Sequence, residues 1–345
     1  MANDPRVLKA FCDGIHRYGA GTGMNPPLAT TRAHEHLQDV LAEFHGTEAA
    51  LVFSSCTAAN LALLDTVVGS SDMIFSDEMH HASIIDGCRL SRAQVARVAH
   101  RQAGSLLASM TSSATTSTGR QERRLFITDG IFSMEGYSAL LPDVLEVTRK
   151  LGAMTAVDEC HAAGVVGATG RGTSELHGCM GQIDYITGTL SKAFGAVGGG
   201  YICASEARIA RLRQRARLAT FSYSMSPAAA AAAATAVSLA RHELDSLERL
   251  RSVAKRFRQG LVQLGFKVIA SEGPITPVVI GDARKAESFS AALESAGVYV
   301  PALAFPVVPL GEARLRAQLS AAHSDADIEL ALQAFERLGR VHHLI

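Results

Sequence analysis

The chain of 345 residues has no tryptophan and no excess of either charge, with 33 basic side chains set against 33 acidic ones. General nucleic-acid binding therefore lacks its usual basic footprint. No uninterrupted apolar run reaches the ~18 residues that suggest a bilayer span. The Ala-rich stretch 227–236 is too short and too weakly apolar to supply one. Six scattered cysteines contain no Cys-x-x-Cys pair and suggest no small secreted disulfide framework. A reducing cytoplasm is the simplest setting. No charged-then-apolar leader opens the chain, because Asp4, Arg6, Lys9 and Asp13 interrupt residues 1–14. What is present is a composition 48% hydrophobic, ample for one large core and a smaller one. Arg208, Arg211, Arg213, Arg215 and Arg217 cluster and read as a solvated helix face.

Periodicity predicts helices at 33–44, 58–68, 83–90 and 144–151, and short apolar strands at 49–53, 73–76, 124–128, 154–157 and 185–187. Residues 201–204 are expected to pair antiparallel beside the last of these. Alternating strands and helices argue for a mostly parallel sheet covered on both faces. Polar residues gather just after the strands, where open α/β sheets place ligands. The Ser/Thr/Ala-rich stretch 105–119 reads as a surface helix and loop. A long helix at 228–250 is expected to leave this domain. Beyond it lie helices at 253–264, 285–296 and 325–340, and strands at 266–269, near 278–280, near Val298 and at 314–319. The division expected is an N-terminal segment 1–45, a large domain 46–240 and a small α+β domain 241–345.

Four segments after strands carry chemistry. In TGTLSKAFGAVGGG, Lys192 stands among small residues that let a flat cofactor approach the backbone. An amine in a partly desolvated pocket has a lowered pKa and serves as Schiff-base nucleophile and proton shuttle; the segment reads equally as a loop with a surface lysine. In DECH, Asp158 could keep a pyridine nitrogen protonated and His161 could bond a phenolic oxygen. A metal pair or helix cap is the other reading, but no further ligands at suitable spacing appear, so no metal is expected. Ser54–Thr57 between a strand and a helix offers N–H groups to a phosphate, or is an ordinary N-cap. In HHAS, His81 could stack on a ring, or be one of a solvated pair. A fifth segment, FSMEG, brings Ser133 and Glu135 on what could be a plain surface turn.

In order and spacing these segments resemble the α-oxoamine synthases, a branch of the fold-type I pyridoxal-phosphate (PLP) enzymes. The stretches SDEMHHASIIDGCRLSRA, TDGIFSMEGYSALLPDV, VDECHAAGVVGATGRG, TGTLSKAFGAVGGGY, FSYSMSP and ARLRAQLSAAH carry the resemblance over about residues 4–340. Within the family the likeness is greatest to the glycine C-acetyltransferases, through HASIIDG, FPVVPLGEAR and QLSAAH. The resemblance implies the PLP-transferase fold, with a seven-stranded type of sheet and a smaller C-terminal domain. It implies Lys192 as Schiff-base lysine, Asp158 on the ring nitrogen, His161 on the phenolic oxygen and His81 stacked on the ring. Backbone amides of Cys56 and Thr57 would hold the phosphate with Thr189 nearby, and Ser133 would line the ring edge. Ser222 and Ser224 would reach a neighbouring subunit's phosphate, making a homodimer with shared sites. Arg316 would grip the amino-acid carboxylate as a planar fork.

The activity implied is condensation of an amino acid, glycine first, with an acyl thioester, acetyl-CoA first, to a β-keto amino acid or aminoketone. The alternatives are another amino acid with a longer or carrier-bound acyl group, or a threonine-type aldolase. A non-catalytic scaffold is disfavoured because Lys192 and Asp158 are both present. Neither nucleic acid nor membrane is an expected partner. Three departures from the family bear on selectivity. Residues 24–27, with Asn25 at the substrate, lack the arginine relatives often carry there; Thr57 replaces a frequent aromatic residue; and the chain begins later than the family usually does.

Overall fold

A computed structural model describes residues 1–21, 28–114, 123–195 and 198–345. They divide into two compact units, one of Met1–Ile131 with Ala139–His242, the other of Phe132–Ser138 with Glu243–Ile345. The larger unit opens with α1 (Pro5–Tyr18) and α2 (Arg32–His45), then β1 (Ala49–Phe53), α3 (Cys56–Val67), β2 (Met73–Asp77), α4 (Ala82–Ser91), β3 (Gln94–Val98) and α5 (Ala103–Ala114). It continues through β4 (Arg124–Asp129), α6 (Leu141–Lys150), β5 (Met154–Asp158), α7 (Thr173–Leu176), β6 (Tyr185–Thr189), β7 (Gly200–Ala204), α8 (Glu206–Arg215), α9 (Arg217–Thr220) and α10 (Pro227–His242). These strands form a seven-stranded sheet in the order β1-β7-β6-β5-β4-β2-β3. Only β7 runs against its neighbours β1 and β6; the other pairs are parallel.

Both sheet faces are covered, as near-continuous apolar strands require. Successive strand residues point to opposite sides. Ile74, Leu125 and Ile127 join one core with Ala59, Leu63 and Leu64 of α3 and Leu212 of α8. Phe75 and Phe126, one residue out of phase, join another with Leu106 and Met110 of α5 and Val144 of α6. Each such phenylalanine contributes roughly 1.5–3 kcal/mol by leaving water. The segment read as a surface helix is thus a core-covering helix on one side; residues 115–119 lie outside those described. Strand β3 and helix α1 escaped periodicity. β3 is an edge strand with mostly exposed side chains, and α1 buries only Val7 and Gly14.

The smaller unit comprises α11 (Asp245–Leu264), β8 (Ile275–Gly281), α12 (Ala283–Ser295), β9 (Ala302–Leu303), β10 (Ala313–Gln318) and α13 (Asp325–Val341). Its antiparallel sheet has the order β8-β10-β9. The long helix expected at 228–250 is two helices. Its buried alanines end in α10, and Asp245 and Glu248 mark the acidic first turn of α11. The strand expected at 266–269 is a single bridge from Val268 to Val278. The one expected near Val298 closes a helix instead, its N–H bonding Leu293 O at 2.9 Å, and the strand falls at β9. Arg211, Arg213, Arg215 and Arg217 are exposed as expected of a solvated face, while Arg208 pairs with Asp184. No helix among the described residues is long and apolar enough to cross a membrane.

Candidate active site

Three parallel strands end in aspartate: Asp77 on β2, Asp129 on β4 and Asp158 on β5. Asp129 and Asp158 are register partners on neighbouring strands, so two buried carboxylates face one another at the sheet's carboxyl edge. Burial, and then the Asp158 charge, push Asp129 well above the ordinary carboxylate range. A cavity of about 240 Å³ opens here, lined by Cys56, Thr57, His81, Asp129, Asp158, His161, Thr189 and Lys192 among others. Strand ends and helix starts converge on it because the parallel strands all point this way.

The turn expected at Ser54–Thr57 is shorter than the sequence suggests. Ser55 is the N-cap of α3, its Oγ accepting from Ala58 N at 3.1 Å, so Cys56 and Thr57 already lie in the first helical turn. Amides of that turn have no partner within the helix and suit an anion. Gly200 seats this end: a Cβ there would run into the backbone of Ser55 and Cys56. Gly188, inside β6, likewise leaves room for the Tyr201 hydroxyl.

Asp158 is nearly buried and its oxygens are held from several sides. Oδ1 accepts from Cys160 N at 2.9 Å; Oδ2 accepts from Asn60 Nδ2 at 2.7 Å and faces Cys56 Sγ at 3.7 Å. His81 is the N-cap of α4, its Nδ1 accepting from Ser83 N at 3.2 Å, and its ring is exposed. His80, its sequence neighbour, instead bonds Ser76 Oγ and is half-buried. His161 Nε2 lies 2.9 Å from Lys192 Nζ. Lys192 is exposed and stands on the turn after β6. Thr189 Oγ1 lies 2.9 Å from Ser191 Oγ on the same turn.

Ser133 and Arg316 belong to the smaller unit, where Arg316 Nε donates to Ser133 O at 2.6 Å. Burial lowers the Arg316 pKa, and the nearby Glu135 charge opposes that. Ser222 and Ser224 are not among the described residues lining the cavity. Ser224 is buried with no partner for Oγ among the described residues, and Phe221 and Tyr223 beside them are exposed. Asn25, with the 24–27 segment, falls outside the described residues.

Sequence reasoning passed over Asn60, Ser83, Asp129 and Cys160. Asn60 did leave a signal: it is a lone polar residue in the apolar run AANLALL. The metal reading was set aside on spacing alone, yet the fold gathers Cys56, Asp158 and Cys160 with ligand atoms within 4.8 Å of one another. The Cys160 thiol is pushed well up, first by its bond with Cys56 and then by burial. Metal ligation would need such thiols deprotonated. The cavity fits PLP better. A helix N-terminus faces it for a phosphate, a buried carboxylate for a ring nitrogen, and an imidazole–amine pair for the reacting end.

Comparison with known proteins points to the same cofactor. The family described as aminotransferase class I and II matches residues 5–335. An 8-amino-7-oxononanoate synthase of Symbiobacterium thermophilum is 41% identical over 346 residues, 100% of this chain and 87% of the relative. A mitochondrial 2-amino-3-ketobutyrate coenzyme A ligase of Mus musculus is 37% identical over 343 residues, 99% of this chain and 81% of the relative. The solved serine palmitoyltransferase of Sphingomonas wittichii superposes with a TM-score of 0.94 at 34% identity, covering 100% of this chain and 86% of that one.

Proposed function

We propose, for a chain that belongs to the aminotransferase class I and II family in its α-oxoamine synthase branch, that it acylates an amino acid larger than glycine with an acyl group longer than acetyl. The coarser activity is that of the branch: a PLP-dependent acyltransferase joining an amino acid to an acyl thioester. The observation that carries the finer reading is the similarity to a serine palmitoyltransferase along the whole chain. The 41% identity to an 8-amino-7-oxononanoate synthase, named for an amine beside a ketone on a nine-carbon acid, points the same way. Glycine and acetyl-CoA, favoured from sequence, rest on the acetyltransferase likeness, and the ligase relative at 37% stands below the synthase.

PLP, when bound, stores the electron pair left on the amino acid's α-carbon. The residues do the rest. First-turn amides of Cys56 and Thr57, with Thr189, hold the phosphate. Asp158 would pair with the ring nitrogen, His81 would stack on the ring, and His161 would bond the phenolic oxygen. Lys192 Nζ anchors the cofactor and then moves the α-proton, guided by His161 at 2.9 Å. Ser133 would line the ring edge and Arg316 would grip the carboxylate; Asn25, expected at the substrate, lies outside the described residues. Among the described residues Arg316 spends only Nε, on Ser133. The working unit is a homodimer in which Ser222 and Ser224 serve the neighbouring phosphate, and the setting is cytoplasmic.

The test is a panel of glycine, alanine and serine against acetyl, long-chain and carrier-bound thioesters, followed by free-thiol release and product mass spectrometry. Preference for alanine or serine with a long acyl chain is expected. Preference for glycine with acetyl-CoA would overturn the reading, as would acetaldehyde release from threonine without any thioester.

A further inference from the structure

We propose that Asn60 and Ser83 are positioning residues that tie His81 and Asp158 into one directional hydrogen-bonded chain. Asn60 is fully buried on α3 and Ser83 is buried on α4. Asn60 Nδ2 lies 2.7 Å from Asp158 Oδ2 and 3.0 Å from Ser83 Oγ. Ser83 Oγ lies 2.8 Å from His81 Nδ1.

The direction of each bond follows from what each group can do. Turning the Asn60 amide over would set its oxygen against the Asp158 carboxylate, so the nitrogen must face that way. An amide nitrogen only donates, and its two protons serve Asp158 and Ser83. Ser83 Oγ, accepting from Asn60, is free to give its own proton to His81 Nδ1. The Ser83 backbone N–H also points at that nitrogen, at 3.2 Å. Nδ1 therefore accepts twice, and the ring proton of His81 resides on Nε2. The link holds the ring-facing imidazole in one tautomer and Asp158 in one orientation. Two walls of the cavity, from α4 and β5, are set by a helix residue that lines neither.

The consequence for PLP rests on the cofactor reading above; the hydrogen-bond chain is a property of the protein alone. The test uses the full chain with and without PLP, ring ¹⁵N spectra of labelled histidine, and His81→Asn for assignment. Wild type should show a single Nε2–H tautomer for His81. Ser83→Ala should give a tautomer mixture, and Ser83→Thr, which keeps the hydroxyl, should restore one form. Asn60→Ala should give the same mixture without altering either partner of His81, and should weaken PLP binding about tenfold. An Nδ1–H tautomer in wild type, or an unchanged His81 signal in either alanine variant, would overturn the proposal. Should Asn60→Ala fail to fold, the Ser83 pair decides alone. Spectra as expected in a chain that takes up no PLP would keep the link and remove the cofactor reading.

Discussion

Arg314 in the smaller unit and Asp158 in the larger are both almost wholly buried charges, 1% and 4% exposed, yet their surroundings differ. All three Arg314 nitrogens are spent. Nη1 donates to Glu135 at 3.2 Å and Met134 O at 3.4 Å, Nη2 to Glu312 at 2.9 Å, and Nε to Glu312 O at 3.1 Å. Asp158 is also held, but it lines a cavity. A charge saturated by its own chain has no capacity left for a ligand, and its worth is structural. A charge fixed in direction beside open space is arranged for something that arrives later. Arg314 and Arg316 sharpen the point, since they sit two apart on one strand, hence on one face. Arg316 is half-buried, with one bond to Ser133 O.

Cutting each centre should give opposite signatures. Lys192→Ala should lose the visible absorbance of the PLP form and lower turnover by about three orders of magnitude or more, with the urea midpoint nearly unchanged. Arg314→Ala should do the reverse, costing roughly 3–5 kcal/mol by stranding Glu135, while Arg314→Met with Glu135→Leu recovers most of it in urea unfolding.

His45 extends the comparison to a buried group kept neutral. It is fully enclosed, its Nε2 lies 2.9 Å from the Tyr201 hydroxyl, and burial lowers its pKa to about 3. Because the folded value is depressed, its stabilisation is complete above the ordinary value near 6.5 and drains away as pH falls toward 3. The loss should reach about 3 kcal/mol by pH 4. Urea midpoints across that window should fall for wild type and flatten for His45→Gln. Smaller still, Arg316→Lys should raise the amino-acid KM about tenfold at an unchanged melting temperature, since lysine cannot reproduce a planar fork. Arg213→Ala, on the exposed face, should shift stability by less than about 0.5 kcal/mol, and a larger drop would mean that face is covered.

Four residues of the cavity were legible in the sequence. Lys192, His161 and His81 follow strands and Asp158 ends one, each in a motif of recognisable chemistry, and all four line one cavity. Two of the misread elements, α10 and β9, lack an amphipathic pattern. The alanines of α10 are nearly all buried, and β9 is too short to show a period. Within the site, Asn60 was passed over because nothing near it in sequence reveals Asp158 or Ser83 as its partners.

Periodicity, turn chemistry and the order of motifs are local properties, so the sequence alone determined the alternating architecture and the class of chemistry. Strand order and helix packing alone decided that Cys56 and Asn60 meet Asp158, and that Asp129 faces Asp158. Those meetings join residues far apart in the chain. They are set by which strands become neighbours and by how α3 packs on the sheet, and no spacing between motifs encodes either.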